Sequence, residues 1–323
     1  MIELALVGLG RWGRVLIESV QSTSPRVRFR AVVTREPVRS ADYARDRGLE
    51  LLDDIAAALA DPRVAGIVLA SPHSMHAAQA EHVIAAGKHL FVEKPFALTL
   101  SDARRVVAAG KRAGVVVAAG HNRRFLPAMM ELKRLVARGG LGQVLHLEGN
   151  MSGPTAVHYP GSWRAKASES PAGGLAGAGI HLIDAMIHLE GCIEEISAQS
   201  LRRVLTIDMD DTTSVLIRFR SGASGYFGVM SATVPTFRLQ VFGSERSAEL
   251  RGQDTLELVD LNGHREERRF PTVDTERAEL EAFAAAIAGE APYPVPQDEV
   301  LSGIAAFEAV PRSATEGARL RLK

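Results

Sequence analysis

The sequence predicts an α/β protein of two domains: a doubly wound parallel sheet, followed by an α+β domain with a large, mainly antiparallel open sheet. The chain has 323 residues, more than one domain usually contains. Short apolar runs alternate with helical segments up to residue 120, which is typical of a parallel sheet covered by helices on both faces. Beyond that point, successive strands with hairpin-sized connections indicate antiparallel pairing. We therefore predict one domain at residues 1–120 and a second at residues 121–323.

The first domain alternates between the two periodicities from its first residues. Apolar runs bounded by turn residues predict strands at residues 2–7, 27–33, 65–70, 89–92 and 115–119. Helical spacing of apolar residues predicts helices at residues 11–21, 40–48, 74–86 and 99–113. The last helix begins with a capping sequence at Thr99 to Asp102 and ends before Gly114.

The second domain is predicted to pack helices on one face of its sheet. Helices are expected at residues 125–137, 180–189, 275–288 and 298–310, and strands at residues 143–150, 194–201, 212–219, 223–230 and 236–242. On the uncovered face we expect Val215, Ile217 and Phe219, interleaved with Arg218 and Arg220. A broad exposed face of this kind would be an aggregation hazard in a monomer, so a homodimer or homotetramer is predicted.

Composition argues against several classes of partner. The 38 basic residues equal the 38 acidic residues, so no excess positive charge is available for nucleic acid or an anionic membrane. No apolar run approaches the roughly 18–20 residues of a membrane span. The N-terminus lacks the basic segment of a signal peptide, and Cys192 is the one cysteine in the sequence. We therefore predict a cytoplasmic protein that binds neither nucleic acid nor membrane.

A phosphate-binding turn is predicted at residues 8–13, which read GLGRWG between the first strand and the first helix. The pattern G-x-G-x-x-G in this position is that of a dinucleotide-binding Rossmann domain. Gly8 permits the tight turn, Gly10 lets a pyrophosphate approach the backbone, and Gly13 lets the helix pack against the strand. The helix N-terminus supplies free N–H groups, and we count Arg11 and Trp12 among the cofactor contacts. The alternative is a glycine-rich turn that binds nothing.

The end of the second strand carries the residues that would choose between the two nicotinamide dinucleotides. An acidic residue there would bind the ribose hydroxyls of NAD, whereas Thr34 and Arg35, with Arg39 close behind, suit the 2′-phosphate of NADP. Glu36 keeps an NAD interpretation open. We predict that NADP is preferred and that NAD is possible.

Several further motifs together point to a family. They are SPHSMH at residues 71–76, EKP at 93–95, GHNRRF at 120–125, WR at 163–164 and GIHLID at 179–184. In this order and spacing the sequence resembles, over nearly its whole length, the glucose–fructose oxidoreductase, inositol dehydrogenase and MocA-like (Gfo/Idh/MocA) oxidoreductases.

The resemblance implies hydride transfer between a nicotinamide and a carbinol or carbonyl carbon of a sugar, cyclitol or similar small polyol. It places Lys94 beside the nicotinamide and the reacting oxygen, followed by a cis bond to Pro95. It places Asn122 and Arg164 near the cofactor or the wall of the site. The other residues expected at the cofactor are Ser71, His73, His76 and Glu93, and of the two histidines His76 is the one expected to help position the loop.

Lys94 and His181 are the predicted catalytic residues, because this reaction requires a group that takes or gives the hydroxyl proton. A lysine in a closed site has a lowered pKa, and its charged form stabilises an alkoxide. Imidazole passes a proton near neutral pH, and Asp184 at i+3 can orient the ring of His181. The alternatives are a surface lysine and a structural histidine.

The predicted substrate contacts are Lys94, His181, Asp184 and, in a loop-like stretch, Tyr159 and Trp163. The two loop aromatics can equally serve to anchor the loop. His181, Asp184 and His188 share one helix face, but hydride transfer needs no metal and we predict none.

One position departs from the family pattern. Many of these dehydrogenases have an aspartate four residues before the histidine, where this sequence has Gly177. The departure leaves open an enzyme biased toward reduction, another class of substrate, or a chain without activity. Two rival functions follow: a nicotinamide-binding sensor or regulator that catalyses no turnover, and an enzyme that oxidises and re-reduces its cofactor within one cycle.

Overall fold

The computed structural model describes residues 1–322 and divides the chain into two compact units. The first contains Met1–Asn122 and Asp274–Gln297, and the second contains Arg123–Val273 and the chain from Asp298 onward. The chain thus passes between the units near the predicted boundary at residue 120. It also returns to the first unit for residues 274–297, which the predicted division assigns to the second domain.

The first unit is built on six parallel strands in the order β3-β2-β1-β4-β5-β6. The strands are β1 Ile2–Val7, β2 Val27–Val33, β3 Glu50–Leu52, β4 Gly66–Leu69, β5 His89–Glu93 and β6 Val117–Gly120. The helices are α1 Arg11–Val20, α2 Pro37–Asp46, α3 Ile55–Ala60, α4 His76–Ala85, α5 Leu100–Ala113 and, from the returning segment, α8 Thr275–Ile287. The strand order reverses between β1 and β4, and ligands of such sheets bind outside the carboxyl ends of the strands at that point.

The core of the first unit explains why the returning segment belongs to it. Leu4 and Phe29 from the strands share one cluster of buried side chains with Leu280 and Phe283 of α8. The rings of Phe91 and Phe283 meet edge to face, with their centroids 5.7 Å apart. Helix α8 therefore covers part of one face of the parallel sheet.

The second unit is built on nine strands in the order β14-β13-β12-β11-β7-β10-β9-β8-β15. They are β7 Val144–Ser152, β8 Ile193–Leu201, β9 Thr212–Phe219, β10 Ser224–Met230, β11 Thr236–Gly243, β12 Arg246–Arg251, β13 Thr255–Asp260, β14 Arg265–Arg269 and β15 Leu320–Arg321. All neighbours pair antiparallel except β7 and β10. Its longer helices are α6 Pro127–Ala137, α7 Gly179–Glu190 and α9 Gln297–Glu316. The predicted fold class is confirmed for both parts of the chain.

Strand β9 corrects the prediction for the open face of this sheet. Val215, Ile217 and Phe219 are 1%, 5% and 0% exposed, so they face the interior. Leu216 and Arg218 point the other way, and Leu216 is 62% exposed. Alternate residues of a strand face opposite sides, and the prediction assigned the apolar set to the wrong one.

Helix α7 lies in the interior of the second unit. Within it, only His188 and Glu190 are not buried, and the helix packs against β7, β10 and α6. This burial encloses both His181 and Asp184. None of the helices within residues 1–322 has the length and apolar composition that crossing a bilayer requires.

Candidate active site

The glycine turn between β1 and α1 has the local geometry of a phosphate-binding loop. Gly8 has φ +103°, and a Cβ there would lie 2.6 Å from the carbonyl oxygen of Ala70. A Cβ on Gly13 would lie 2.2 Å from the carbonyl oxygen of Gly8, so close packing requires glycine at both positions. Gly10 caps the N-terminus of α1, and apart from its chain neighbours no atom of residues 1–322 lies within 4 Å of the place of a Cβ there. The turn is thus closed by Gly8 and Gly13 and open at Gly10, where a phosphate would approach the helix N-terminus.

The two residues between these glycines differ in their surroundings. Arg11 is exposed. Trp12 is half-buried, packs against the core cluster, and has a buried indole nitrogen near the carboxyl group of Glu93. Trp12 therefore links the glycine turn to the end of β5.

Glu93, the last residue of β5, is a buried carboxyl group with an unusual pKa. Burial raises its pKa from 4.5 to about 7 and outweighs the Trp12 N–H and the positive charge of Lys94, while the charge of Glu276 raises it further. Its Oε2 accepts a hydrogen bond of 3.2 Å from the backbone N–H of Lys94. Lys94 itself is half-buried, and the Lys94–Pro95 bond is cis, as the resemblance implies.

Beyond β4, Ser71, His73 and His76 of the SPHSMH motif are buried and contact neighbouring residues. Ser71 is 7% exposed, and its hydroxyl donates to Oε1 of Gln79 at 2.5 Å. His73 is 8% exposed and meets the ring of His76 edge to face. His76 is fully buried, with Nδ1 2.9 Å from the carbonyl oxygen of Pro95 and Nε2 3.1 Å from that of Ser71. Both ring nitrogens thus bind main-chain carbonyl groups. A hydrogen bond from the ring to a cofactor would require one of these bonds to break.

Asn122 follows β6 and contacts Glu276, a residue that the sequence did not suggest. Its side chain is buried, and Nδ2 donates to Oε1 of Glu276 at 2.8 Å. The hydroxyl of Thr275 donates to the other oxygen of Glu276 at 3.0 Å. Glu276 lies in the first turn of α8, where an acidic residue is ordinarily explained by the helix dipole. Only the fold brings it within electrostatic reach of Glu93.

The residues that follow β2, where adenosine binding is predicted, include two exposed arginines, Arg35 and Arg39. The Thr34 hydroxyl is buried and accepts a 3.2 Å hydrogen bond from the backbone N–H of Glu36. Arg35 is exposed, and Arg39 pairs with Glu36 at 3.2 Å on the surface. An exposed pair of this kind contributes little stability, so the side chains of Arg35 and Arg39 can turn toward a ligand.

In the second unit, the glycine-rich stretch before α7 serves mainly to pack. A Cβ on Gly173 would lie 2.0 Å from the carbonyl oxygen of Asp210, and one on Gly174 would lie 2.7 Å from the side chain of Val229. Gly177 differs, because it is exposed and, among the described residues, a Cβ there would meet the hydroxyl of Tyr159 at 3.4 Å and the carbonyl oxygen of Gly174 at 3.8 Å. The space at the departing position thus adjoins a tyrosine hydroxyl.

His181 and Asp184 lie on consecutive turns of α7 and are 7% and 5% exposed. Asp184 accepts hydrogen bonds from Nη2 and Nε of Arg124, at 2.6 Å and 3.0 Å. Nη1 of Arg124 lies 2.6 Å from a carboxylate oxygen of Glu299 and 3.1 Å from Nδ1 of His188. The structure therefore places Asp184 in a buried ion-pair network with Arg124, the fifth residue of the GHNRRF motif.

The charges of this network shift the ionisation of its members. Burial opposes the charged form of Glu299, but the hydrogen bond from His188 and the charge of Arg124 prevail and lower its pKa to about 2. For Arg124, burial is likewise outweighed by Asp184 and Glu299, and its pKa is raised. Each carboxylate thus has a fixed cationic neighbour.

The loop from Thr155 to Ser170 carries the remaining predicted contacts. Tyr159 is half-buried, and the guanidinium group of Arg164 stacks 4.1 Å above the ring of Trp163. The carbonyl oxygen of Arg164 accepts a 2.8 Å hydrogen bond from the hydroxyl of Ser170. Both contacts join residues of the loop to one another. Within residues 1–322, no three His, Cys, Asp or Glu side chains are grouped so that they could hold a metal ion.

Comparison with known proteins covers both units. Residues 2–121 match the model of an oxidoreductase family with an NAD-binding Rossmann fold, and residues 129–249 match a GFO/IDH/MocA C-terminal domain. Among curated relatives, myo-inositol 2-dehydrogenase of Thermotoga maritima is 27% identical over 281 residues, which cover 83% of this chain and 81% of that protein.

Two solved structures share the fold over almost the whole chain. A putative NADPH-dependent oxidoreductase from Desulfitobacterium hafniense superposes with a TM-score of 0.91 at 23% identity, covering 99% of this chain and 97% of the other. Levoglucosan dehydrogenase in complex with NADH and levoglucosan superposes with a TM-score of 0.89 at 21% identity, covering 99% of both chains.

Proposed function

Because the chain belongs to the Gfo/Idh/MocA family of NAD-binding oxidoreductases, we propose that it transfers hydride between a nicotinamide dinucleotide and a carbinol or carbonyl carbon of a sugar, cyclitol or similar small polyol. One observation carries the proposal: the open glycine turn at Gly10 and the half-buried Lys94 lie at the carboxyl edge of one parallel sheet. Their strands are two positions apart in that sheet, or about 10 Å. A dinucleotide held at the turn by its pyrophosphate can extend along this edge toward Lys94.

The chain supplies binding and proton transfer, while the bound nicotinamide exchanges hydride with the substrate carbon. For alcohol oxidation, Nζ of Lys94 accepts the hydroxyl proton as the carbon gives up its hydride. For carbonyl reduction, the same amine returns that proton to the oxygen. We assign His181 to hydrogen bonding or proton exchange at a substrate oxygen, and Tyr159 and Trp163 to contacts with the substrate.

Asp184 is better explained as a residue that fixes α7. Both of its oxygens accept hydrogen bonds from the buried Arg124, so a substrate hydroxyl would have to share them. We propose that Asp184 holds the helix that carries His181. For the cofactor, Asn122 and Arg164 remain proposed wall residues, together with Ser71 and His73.

We propose that NADP is preferred over NAD, with Arg35 binding the 2′-phosphate. The support is the exposed guanidinium of Arg35 at the end of β2. Arg39, in the first turn of α2, is also exposed and forms a surface ion pair with Glu36. Arg35→Ala should lower kcat/KM for NADP about tenfold, the loss of one charge-assisted hydrogen bond, and leave NAD nearly unchanged. Arg45→Ala, a change on the exposed side of α2, is the matched control; equal effects on both cofactors would contradict the assignment.

The assembly and location of the protein stay predictions from its sequence. For a homodimer or homotetramer, the support is the face of the nine-stranded sheet that carries Leu216 and Tyr226, which are 62% and 38% exposed. Leu216→Glu should shift the mass measured by light scattering toward the monomer if this face joins two copies. Cytoplasmic location is likewise still the expectation drawn from the sequence.

The function is tested by a screen of sugars and cyclitols with NADP and NAD in parallel, following the absorbance of the reduced nicotinamide. Lys94→Ala should lower kcat by at least about 100-fold, the effect of losing a general acid–base, while cofactor binding persists. Lys111→Ala, on the exposed side of α5, controls for loss of a lysine as such. Cofactor binding without turnover of any compound would favour the sensor, and turnover without net change in reduced cofactor would favour the enzyme that recycles it.

A further inference from the structure

His76 is completely buried between the ends of β4 and β5. Its exposed fraction is 0%, and both ring nitrogens lie at hydrogen-bond distance from main-chain carbonyl oxygens. Nδ1 is 2.9 Å from the oxygen of Pro95, and Nε2 is 3.1 Å from the oxygen of Ser71. The ring therefore bridges two loops that the chain separates by more than one element.

The chemistry of these partners limits the ionisation state of the ring. A carbonyl oxygen can only accept a hydrogen bond, and a neutral imidazole has a single N–H. Exchanging its tautomers moves the proton from one nitrogen to the other without supplying a second donor. Only the imidazolium form donates to both oxygens, and hydrogen bonds to a charged form favour that form against the cost of burial.

We propose that His76 is a buried imidazolium that ties the ends of β4 and β5 together and so positions Lys94. Pro95, whose carbonyl oxygen it binds, directly follows Lys94 in the chain. Ser71 lies just after β4, the parallel neighbour of β5. His76 touches neither hydride donor nor acceptor in this assignment, so it acts through the loop that carries the amine. The role in positioning rests on the proposed function of Lys94, whereas the charge state does not.

Three titratable groups lie on the segments that the ring joins. They are His73, whose ring centroid is 5.9 Å away, with Glu93 and Lys94 at the end of β5. Ser71 is in turn held by Gln79 one turn along α4, so the Ser71 end of the bridge is also bound by a neutral side chain.

The charge state is tested by NMR of full-length protein labelled with nitrogen-15 in histidine, with no substrate required. We expect both ring nitrogens of His76 to carry protons from about pH 6 to about pH 9, well past the ordinary histidine pKa of ~6.5. His76→Gln identifies the signals by their disappearance, and the exposed His82 provides a reference histidine in the same spectra. A single protonated nitrogen at neutral pH would overturn the proposal.

Positioning is tested with two substitutions of graded donor capacity. His76→Gln retains one donor group, and His76→Phe retains none, so kcat should fall in that order, by about 10-fold or more for the second, as expected for a misplaced catalytic group. The Kd of the cofactor and the KM of the substrate should change less than kcat. Expressing kcat per titrated active site excludes loss of folded protein as the cause of this difference. His82→Gln is the matched control.

An unchanged kcat in both variants would refute the positioning role. If His76→Phe does not fold, His76→Gln and the NMR measurement on the unaltered protein still decide the question. If the protein proves to have no turnover, the same NMR result stands on its own and the failure belongs to the proposed function.

Discussion

Glu93 shows at the residue scale how burial changes the chemistry of a side chain. It is enclosed at the end of β5, and its pKa rises from 4.5 to about 7. Between these values the folded protein binds the proton more tightly than the unfolded chain does. By linkage, this carboxyl group therefore contributes a stability that is present below about pH 4.5 and is lost as the pH rises through about 7.

The first prediction concerns Glu93→Gln, which keeps an acceptor for the Lys94 N–H and cannot ionise. Relative to the unaltered protein, the variant should gain roughly 3 kcal/mol in free energy of unfolding between pH 5 and pH 8, since one unit of pKa corresponds to about 1.4 kcal/mol. Denaturant unfolding at the two pH values measures this difference. Glu81→Gln, at a partly exposed position without such burial, should show no comparable change, and an equal difference at both pH values for Glu93→Gln would contradict the assigned cause.

Tyr159 and Gly177 illustrate a second residue-scale effect, in which a missing side chain leaves room for another group. A Cβ at position 177 would contact the tyrosine hydroxyl at 3.4 Å. If this hydroxyl contacts substrate, Tyr159→Phe should lower kcat/KM about 10-fold, the value of one hydrogen bond. Steady-state kinetics with the best substrate measures the loss, and Tyr226→Phe on the open face of the sheet is the control.

Gly177→Asp completes this second prediction. Its carboxylate would crowd the hydroxyl, so combining it with Tyr159→Phe should give less than the product of the two separate losses. If the fold-losses in kcat/KM multiply, so that their free energies add, the two groups act independently.

The residues of the site differ in how far sequence could identify them. Gly8 and Gly13 were predictable because the requirement for glycine is local: the chain must turn and pack within six residues. Glu276 was not, because its partner Asn122 is 154 positions away, and nothing near Glu276 in the sequence distinguishes it from an acid favoured at a helix N-terminus. Arg124 stood within a recognised motif, but only the fold shows that it pairs with Asp184 and Glu299.

At the scale of elements, α7 is the helix whose placement matters most for the second unit. It is buried on nearly all sides, and its charged residue Asp184 is held by Arg124, which is itself only 3% exposed on its side chain. Breaking a buried pair leaves an uncompensated charge and typically costs 3–5 kcal/mol. The pair therefore fixes the orientation of α7 more firmly than surface pairs fix other helices.

The third prediction is that Asp184→Asn lowers the free energy of unfolding by roughly 3 kcal/mol, the low end of this range, because Arg124 keeps Glu299 as a partner. Asp42→Asn, which removes an exposed i,i+3 pair with Arg45 on α2, should cost at most about 1 kcal/mol. Urea unfolding of the two variants makes the comparison. If the two changes have equal cost, the buried network does not anchor the helix.

Elements were predictable where the periodicity is strong and local, and less so elsewhere. The prediction ends the last helix at residue 310, but α9 runs from Gln297 to Glu316 with Pro311 inside it. Tertiary contacts account for the continuation, since buried Ser313 accepts from the N–H of Ala198 at 3.0 Å and donates to the carbonyl oxygen of Ala318 at 2.6 Å. Strands β12 to β14 were not predicted. Arg and Glu side chains form cross-strand ion pairs there, and the buried apolar alternation is limited to Ala248 with Leu250 and Leu256 with Leu258.

At the scale of the whole molecule, the division of the chain is not a single cut in the sequence. Residues 274–297 return to the first unit after the strands of the second. Polar contacts hold the returning segment: the hydroxyl of Ser24 donates to Glu281 at 2.7 Å, and Nε of Arg277 donates to the carbonyl oxygen of Ser19 at 2.9 Å. Helical periodicity predicted α8 itself, but its partner could not be read from the sequence, because any amphipathic helix can cover either sheet.

The last prediction follows from this return. A fragment of residues 1–122 lacks Leu280 and Phe283, both fully buried against its sheet, and would expose the apolar surface that they cover. We expect it to aggregate or to bind a hydrophobic dye, whereas residues 1–122 joined to 274–297 by a flexible linker should unfold cooperatively. The same fusion with Phe283→Asp should behave like the short fragment, because a charge would be buried without a partner. Circular dichroism melts decide the matter: cooperative unfolding of residues 1–122 alone, at the temperature of the fusion, would show that α8 is dispensable to the first unit.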